Sequence, residues 1–261
     1  HGVREGRAKS GAPLNFTLDG NGGLRTMTHH ETHYVPAAGR DVFLPFYDPI
    51  IRLLMRERTL RQKFLEQADI GRNHHVLDLG CGTGTMAILI RQRRPESTVV
   101  GVDGDPKVLD IARRKAAKAS LSIQFDESLA DRLPYSEASF DRVLCSFVLH
   151  HLTYNGKIGA LREARRVLKP GGSFHLADFG PPVGRYAALV ARLVARGERL
   201  RENIEGRLPQ LMAKAGFQEI RERDCLNTTF GTGVFLSAHV DGEQSAVQQG
   251  APGDAPKAAR P

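Results

Sequence analysis

Along this chain the apolar positions switch between two rhythms. From Asp48 to Ala68, Ile51, Leu53, Leu54, Leu60, Phe64 and Leu65 recur at helical spacing. Val76–Leu79 is a short apolar run ending in glycines, the signature of a buried strand. Met86–Arg93 reads as a helix and Ser97–Val102 as the next strand. Pro106 opens another helix, because its fixed φ suits a first helical turn. Further strands fit Leu121–Phe125, Phe140–Cys145 and Ser173–Ala177. Between the last two, a helix over Lys157–Leu168 stops before the breaker Pro170-Gly171-Gly172. Such alternation predicts an α/β fold, doubly wound around a mostly parallel sheet with right-handed crossovers. Downstream, Gly184–Leu200 and Leu208–Ala215 read as helices, and Phe217–Cys225 with Gly233–His239 as a closing strand pair. Antiparallel strands at the edge of such sheets are common.

The rhythms end at both termini. Residues 1–40 are expected to be disordered or loosely ordered, 41–240 to form one domain, and the Gly-, Ala-, Pro- and Gln-rich residues 241–261 to be a mobile tail. A composition of 41% hydrophobic and 25% charged residues suits one α/β domain, large enough to bury its core without staples. Cys81, Cys145 and Cys225 form no C-x-x-C pair, so neither a disulfide framework nor zinc is implied. His29, His30 and His33 crowd together without the H-E-x-x-H order of a zinc helix, so no metal is expected. No run approaches the roughly 20 apolar residues of a membrane span. Tyr186–Ala195 comes nearest and is interrupted by Arg192. With no signal-like N-terminus either, a cytoplasmic protein is expected. The net charge of +8 comes from basic residues scattered over the polar faces of several helices. That pattern argues a basic surface rather than a nucleic-acid face.

The chemistry concentrates at Val76-Leu77-Asp78-Leu79-Gly80-Cys81-Gly82-Thr83-Gly84. A strand feeding a glycine-rich turn that opens a helix lets a ligand approach the main chain closely. The spacing Gly80-x-Gly82-x-Gly84 differs from the G-x-G-x-x-G that seats a pyrophosphate on a helix N-terminus. Asp103 ends the second strand, where a carboxylate can accept from ribose hydroxyls. Turn, strand, acid and helix in that order point to a nucleoside ligand. A capping role for Asp78 and a turn-forming role for Asp103 before Gly104 are the plainer alternatives.

The block from Val76 to Phe179 resembles the class I S-adenosylmethionine (SAM)-dependent methyltransferases, in particular the group holding the ubiquinone/menaquinone C-methyltransferases. Residues 76–84 match their first motif and Gly101-Val102-Asp103 their ribose motif. Asp131-Arg132-Leu133-Pro134-Tyr135 matches their acid-x-Leu-Pro segment, and Leu168-Lys169-Pro170-Gly171-Gly172 the turn before their fifth strand. The resemblance implies a Rossmann-like seven-stranded sheet whose last strand is antiparallel, with SAM as methyl donor. It assigns cofactor contacts to Tyr47, Asp78, Gly80, Cys81, Gly82, Thr83, Gly84, Asp103, Gly104, Ala130, Asp131, Ser146 and Phe147. Leu129 departs from the family, which often carries an acid there to meet the adenine. Leu129 and Pro106, Asp105, the Ala130 N–H or Asp131 are left to hold that ring, and Asp131 serves equally as a helix cap.

Methyl transfer from a sulfonium needs alignment and exclusion of water, and a base only if the acceptor must lose a proton. His150 and His151 follow the fourth strand, where either is a candidate base or a support for the turn. Asp178 and Phe179 stand at the end of the fifth strand, facing the acceptor. Cys145 lacks the preceding proline of cysteine-dependent pyrimidine methyltransferases, and Cys145-Ser146-Phe147-Val148 replaces the Asn-Pro-Pro-Tyr of amino-methylating nucleic-acid enzymes. The helix at 184–202 serves either as a lid, its apolar face made by Tyr186, Leu189, Val190, Leu193 and Val194, or as core packing. A small, lipid-like or aromatic acceptor is the expected partner. An RNA methyltransferase and a non-catalytic SAM binder are the rivals.

Overall fold

Val76 and Leu77 are neighbours on one strand, so their side chains point to opposite faces. Both are fully buried, which requires helices on both sides of the sheet. The computed structural model describes Phe16–Leu18, Leu24–Thr26, residues 57–194 and residues 198–241. It meets that requirement with β3 (His75–Leu79), β4 (Thr98–Asp103), β5 (Gln124–Glu127), β6 (Phe140–Ser146), β7 (Leu168–Phe179), β8 (Gln218–Thr228) and β9 (Gly231–His239) in one seven-stranded sheet, order β5-β4-β3-β6-β7-β9-β8. Neighbours pair in parallel from β5 to β7, and β9 runs antiparallel to both β7 and β8. The antiparallel last strand is therefore as expected.

The helices are α1 (Glu57–Gln67), α2 (Thr85–Arg93), α3 (Pro106–Lys118), α4 (Tyr154–Val167), α5 (Arg185–Val194), α6 (Arg201–Ile204) and α7 (Leu208–Lys214). On one face, Phe64 of α1, Met86 and Ile90 of α2 and Leu109 of α3 pack with Val76, Leu144 and Phe235. On the other, Leu161 of α4 and Leu211 and Met212 of α7 pack with Leu77, Val143 and Phe174. Each such side chain contributes about 1.5–3 kcal/mol when fully buried.

Two boundaries depart from the sequence reading. The strand expected over Leu121–Phe125 begins at Gln124 instead. Ser120 turns with φ +55° and the Leu121 N–H donates to Ala116 O, so the first residues are spent closing α3. Pro170-Gly171-Gly172 does not separate α4 from its strand. β7 starts at Leu168, directly after the helix, and the breaker is absorbed as a kink with Gly171 at φ +75° and a register shift between Phe140 and Arg142. A 3-10 turn at Leu149–His151 and the short α6 were not foreseen.

A separate unit carries an antiparallel pair, β1 (Phe16–Leu18) with β2 (Leu24–Thr26), inside the segment expected to be loosely ordered. The rest of residues 1–56, the start of the helix expected from Asp48, and residues 242–261 lie outside the described residues. No described helix is long and apolar enough to cross a membrane.

Candidate functional site

Strand order reverses beside β3: the chain steps outward through β4 and β5, then returns to β6 on the other side. Ligands of open α/β sheets bind outside the carboxyl ends of strands at such a switch point. Except for Tyr47, which lies outside the described residues, the sequence candidates gather on this rim or on the segment following β5.

Gly80, Gly82 and Gly84 all adopt left-handed backbone, φ +70°, +50° and +71°. Two of them are glycine for packing. A Cβ on Gly80 would lie 2.3 Å from Val148 Cγ2, and one on Gly84 would lie 2.8 Å from Ala112 Cβ. Gly82 differs, since nothing lies within 4 Å of its would-be Cβ, so bare main chain faces open space. The turn is tied to β4 by the Gly80 and Cys81 N–H groups, which donate to Val102 O at 2.8 and 2.9 Å.

Asp103 binds the same loop through its side chain. Oδ2 accepts from Gly82 N at 2.8 Å and Oδ1 from Asp105 N at 3.1 Å. Burial holds its carboxyl above the ordinary range against these two bonds. Asp105 caps α3, accepting from Lys107 N at 2.9 Å. Asp78 is almost wholly buried, and its Oδ2 accepts from Ala87 N at 3.0 Å, bracing the first turn of α2. Burial pushes its carboxyl up to about 7, against the opposing pull of Arg61 and of that N–H. Thus Asp78 supports the site from beneath, while Asp103 stands at its edge.

Lys115 is a contributor that sequence reasoning missed. Grouped with Arg113 and Arg114 as a helix's polar face, it instead sends Nζ to Thr83 O (2.9 Å), Thr83 Oγ1 (3.1 Å) and Thr85 Oγ1 (2.6 Å), clamping the glycine turn onto α3. Nothing in its local sequence marks it, because the contact spans about thirty residues. In the segment after β5, Leu129 and Ala130 are half-buried and Asp131 is exposed above Gly159 of α4, whose hydrogen leaves the room a Cβ would take. Glu163, paired with Arg166, accepts from Leu133 N at 2.8 Å and fixes this segment to α4.

On the other side of the switch point the rim is aromatic and ionisable. Phe147 takes φ +57°, uncommon for a bulky residue, with its N–H donating to Ala177 O at 2.8 Å. Strained backbone of this kind persists where the surroundings over-determine it, often at functional sites. His150 Nδ1 lies 2.7 Å from Asp178 Oδ1, and Asp178 is wholly buried. Asp178 also accepts from the Phe179 and His150 N–H groups, at 2.7 and 3.3 Å. A carboxylate can only accept, so the contact orients the ring with Nδ1–H toward Asp178 and Nε2 on the far side of the ring. The His150 ring packs against Phe179 at 4.9 Å and His151 at 3.9 Å. Among the described residues no carboxylate hydrogen-bonds the His151 ring, and desolvation, with His150 and Arg199 beside it, lowers its imidazole to about 4. Of the two candidate histidines, His150 is the one with a carboxylate partner among the described residues. Cys145 is buried, with its thiol pushed well up by burial, and is inert as expected. No group of metal-ligating residues occurs among the described residues, and His29, His30 and His33 lie outside them.

For the helix after β7 the sequence left lid and packing roles open. Ala187 is buried, whereas Tyr186 and Leu189 are each 58% exposed. Small alanines let the helix approach β9, and the large side chains are left outside. Its continuation is anchored by Lys157 of α4, which has no exposed surface and donates to Arg199 O (2.6 Å), Glu202 Oε2 (2.9 Å) and Asn203 Oδ1 (2.8 Å).

A family model described as a methyltransferase domain matches residues 76–172. The chain is 40% identical over 151 residues to the demethylmenaquinone methyltransferase of Deinococcus radiodurans, a match covering 57% of this chain and 62% of that protein. It is 37% identical to the demethylmenaquinone methyltransferase of Thermus thermophilus, covering 57% and 68%. The chain therefore spans less than two thirds of the first of these relatives. Among solved structures, the YcgJ protein of Bacillus subtilis matches with a TM-score of 0.58 at 18% identity, covering 70% of this chain and 99% of that one.

Proposed function

The chain belongs to the class I S-adenosylmethionine-dependent methyltransferases, and from that premise we propose that it moves a methyl group from SAM to a small aromatic acceptor of the quinol type. The observation that carries this reading is the oriented base. His150, held by buried Asp178, stands on the same rim as the glycine turn and Asp103. The residues present suit the donor. Open main chain at Gly82 permits close approach, and Asp103 keeps lone pairs beyond its two backbone bonds with which to accept from ribose hydroxyls. Ala130 and Leu129 would flank the adenine, and Ser146 and Phe147 the amino acid end. When bound, the donor supplies a methyl activated by its sulfonium.

The rest of the work falls to this chain. An acceptor hydroxyl gives its proton to His150 Nε2, which makes the acceptor a better nucleophile. Asp178 keeps the imidazole in the required tautomer and stabilises the imidazolium that forms. Phe147 and Phe179 keep water away from the reacting atoms. The quinol assignment is supported by the names of the Deinococcus and Thermus relatives. A cytoplasmic setting is supported by the three free cysteines.

The test is transfer of label from methyl-labelled SAM to a chemically reduced 2-alkyl-1,4-naphthoquinone, with Asp103→Ala as control. Labelled product is expected from the wild type, with SAM affinity about 10-fold weaker in the control, near the ~1.4 kcal/mol of a lost charge-assisted bond. No label in this acceptor, while SAM binds tightly, overturns the quinol reading. Unchanged affinity in Asp103→Ala removes Asp103 from the site.

A further inference from the structure

Five large apolar side chains are exposed among the described residues, and four of them stand together. Tyr186 and Leu189 lie on α5, each 58% exposed, with Val183 in the turn before it and Phe230 at the tip of the β8–β9 hairpin. Two bonds hold these elements side by side. Tyr186 Oη donates to Thr229 O at 3.0 Å, and Asn227 Nδ2 donates to Val183 O at 3.2 Å. The fifth, Tyr154, is elsewhere, beneath the Lys214 ammonium at the start of α4. Exposed apolar side chains scattered singly are ordinary, whereas a group of them marks a surface that meets something.

The charge around the group narrows what it meets. Arg185 and Arg192 lie four residues before and three after Leu189, so both exposed guanidiniums flank its side chain. No Asp or Glu occurs from Pro181 to Val194 or from Asn227 to Phe235. A second copy of this chain seated there would set the arginines against each other. A specific, stable protein partner covers roughly 20–30 residues a side, and a helix face with one hairpin tip offers far fewer. An anionic lipid surface suits both features. Apolar and aromatic side chains settle at the depth of the headgroups, and cations beside them meet the lipid phosphates. No described helix is long and apolar enough to cross a membrane, so such a contact is peripheral.

We propose that α5 and the β8–β9 tip dock this protein on an anionic lipid bilayer. Val183, Tyr186, Leu189 and Phe230 enter the headgroup layer, while Arg185 and Arg192 pair with lipid phosphates. The docking involves no methyl acceptor, so its test stands whether or not the naphthoquinol is methylated. Flotation of the full chain is measured with vesicles of phosphatidylglycerol and phosphatidylcholine, and with vesicles of phosphatidylcholine alone. The wild type is expected on the mixed vesicles and about 10-fold more weakly on the neutral ones, as two arginines at an anionic surface imply. Leu189→Asp and Phe230→Ser, on different elements, should each weaken binding to the mixed vesicles about 10-fold. Both positions are exposed, so the fold survives, and SAM affinity within twofold by calorimetry checks this. Reversing Arg185 and Arg192 to Glu should weaken binding about 10-fold or more. Reversing Arg114 and Lys118, exposed on α3 away from the patch, should weaken it much less. Failure of the wild type to float, wild-type binding by Leu189→Asp and Phe230→Ser, or equal losses from the two charge reversals would each overturn the docking face. A dimer that Leu189→Asp dissolves, with no flotation, would give the patch to a second copy instead.

Discussion

The two halves of the rim are built by different means. On the β3–β5 side the site is main chain: three left-handed glycines, backbone bonds from Gly80 and Cys81 to Val102, and Asp103 catching the Gly82 N–H. On the β6–β9 side it is side chains: His150 on Asp178, Lys157 on three acceptors, and Asn203 on the Phe179 carbonyl. The first kind of construction holds a ligand that never varies, because a backbone conformation tolerates few substitutions. The second kind can be re-equipped one side chain at a time, which suits the half that chooses an acceptor.

That contrast can be broken from the acceptor side. Lys157→Met should cost about 3–5 kcal/mol of stability, because it leaves the Glu202 carboxylate without its buried partner. Urea denaturation measures it, and calorimetry at permissive temperature should find SAM affinity little changed. If SAM binding were lost in step with stability, the two halves would be one cooperative unit. Asp178→Asn comes next. The amide can no longer demand the Nδ1 proton, so kcat/KM should fall about 10²–10³-fold while SAM still binds. The acid limb of the pH–rate profile should also shift, which a merely structural Asp178 would not cause.

A smaller effect sharpens the comparison at the heart of the sheet. His175 is 4% exposed, its Nδ1 has no hydrogen-bond partner among the described residues, and burial lowers its imidazole to about 3. The folded value lies below the unfolded one, so this stability is complete above pH 6.5 and is lost as pH falls from there toward 3. By pH 5 the loss should reach about 2 kcal/mol. His175→Gln should flatten that slope in denaturation curves between pH 7 and 5. An unchanged slope would assign the acid sensitivity to other groups.

The same division explains what could be read without the structure. The glycine turn, Asp103 and the helix opened by Pro106 were legible because their roles are local: a positive φ demands glycine, and a fixed proline φ suits a helix start. The pairing of His150 with Asp178 was not, since it joins residues 28 apart through a parallel strand pair. Both residues were visible as candidates, yet nothing in the sequence chose between His150 and His151. Lys115 was read as solvated helix surface because hydropathy scores the ammonium, not the acceptors that await it across the fold. In α5 the amphipathic pattern left lid and packing open, and close approach to β9 favours burying Ala187 while Tyr186 and Leu189 stay exposed.

The order of the sheet has a consequence for how the molecule behaves in a crowd. An outer strand offers unpaired peptide groups to any other chain, a recognised route to edge-to-edge aggregation. One outer strand, β5, is four residues long and gives little purchase. The other, β8, is eleven residues long, but Glu219 and the run Arg221-Glu222-Arg223-Asp224 place charges along it. A strand from another molecule could add there only by burying or matching these mixed charges, so the long edge that anchors the antiparallel end of the sheet also discourages self-association.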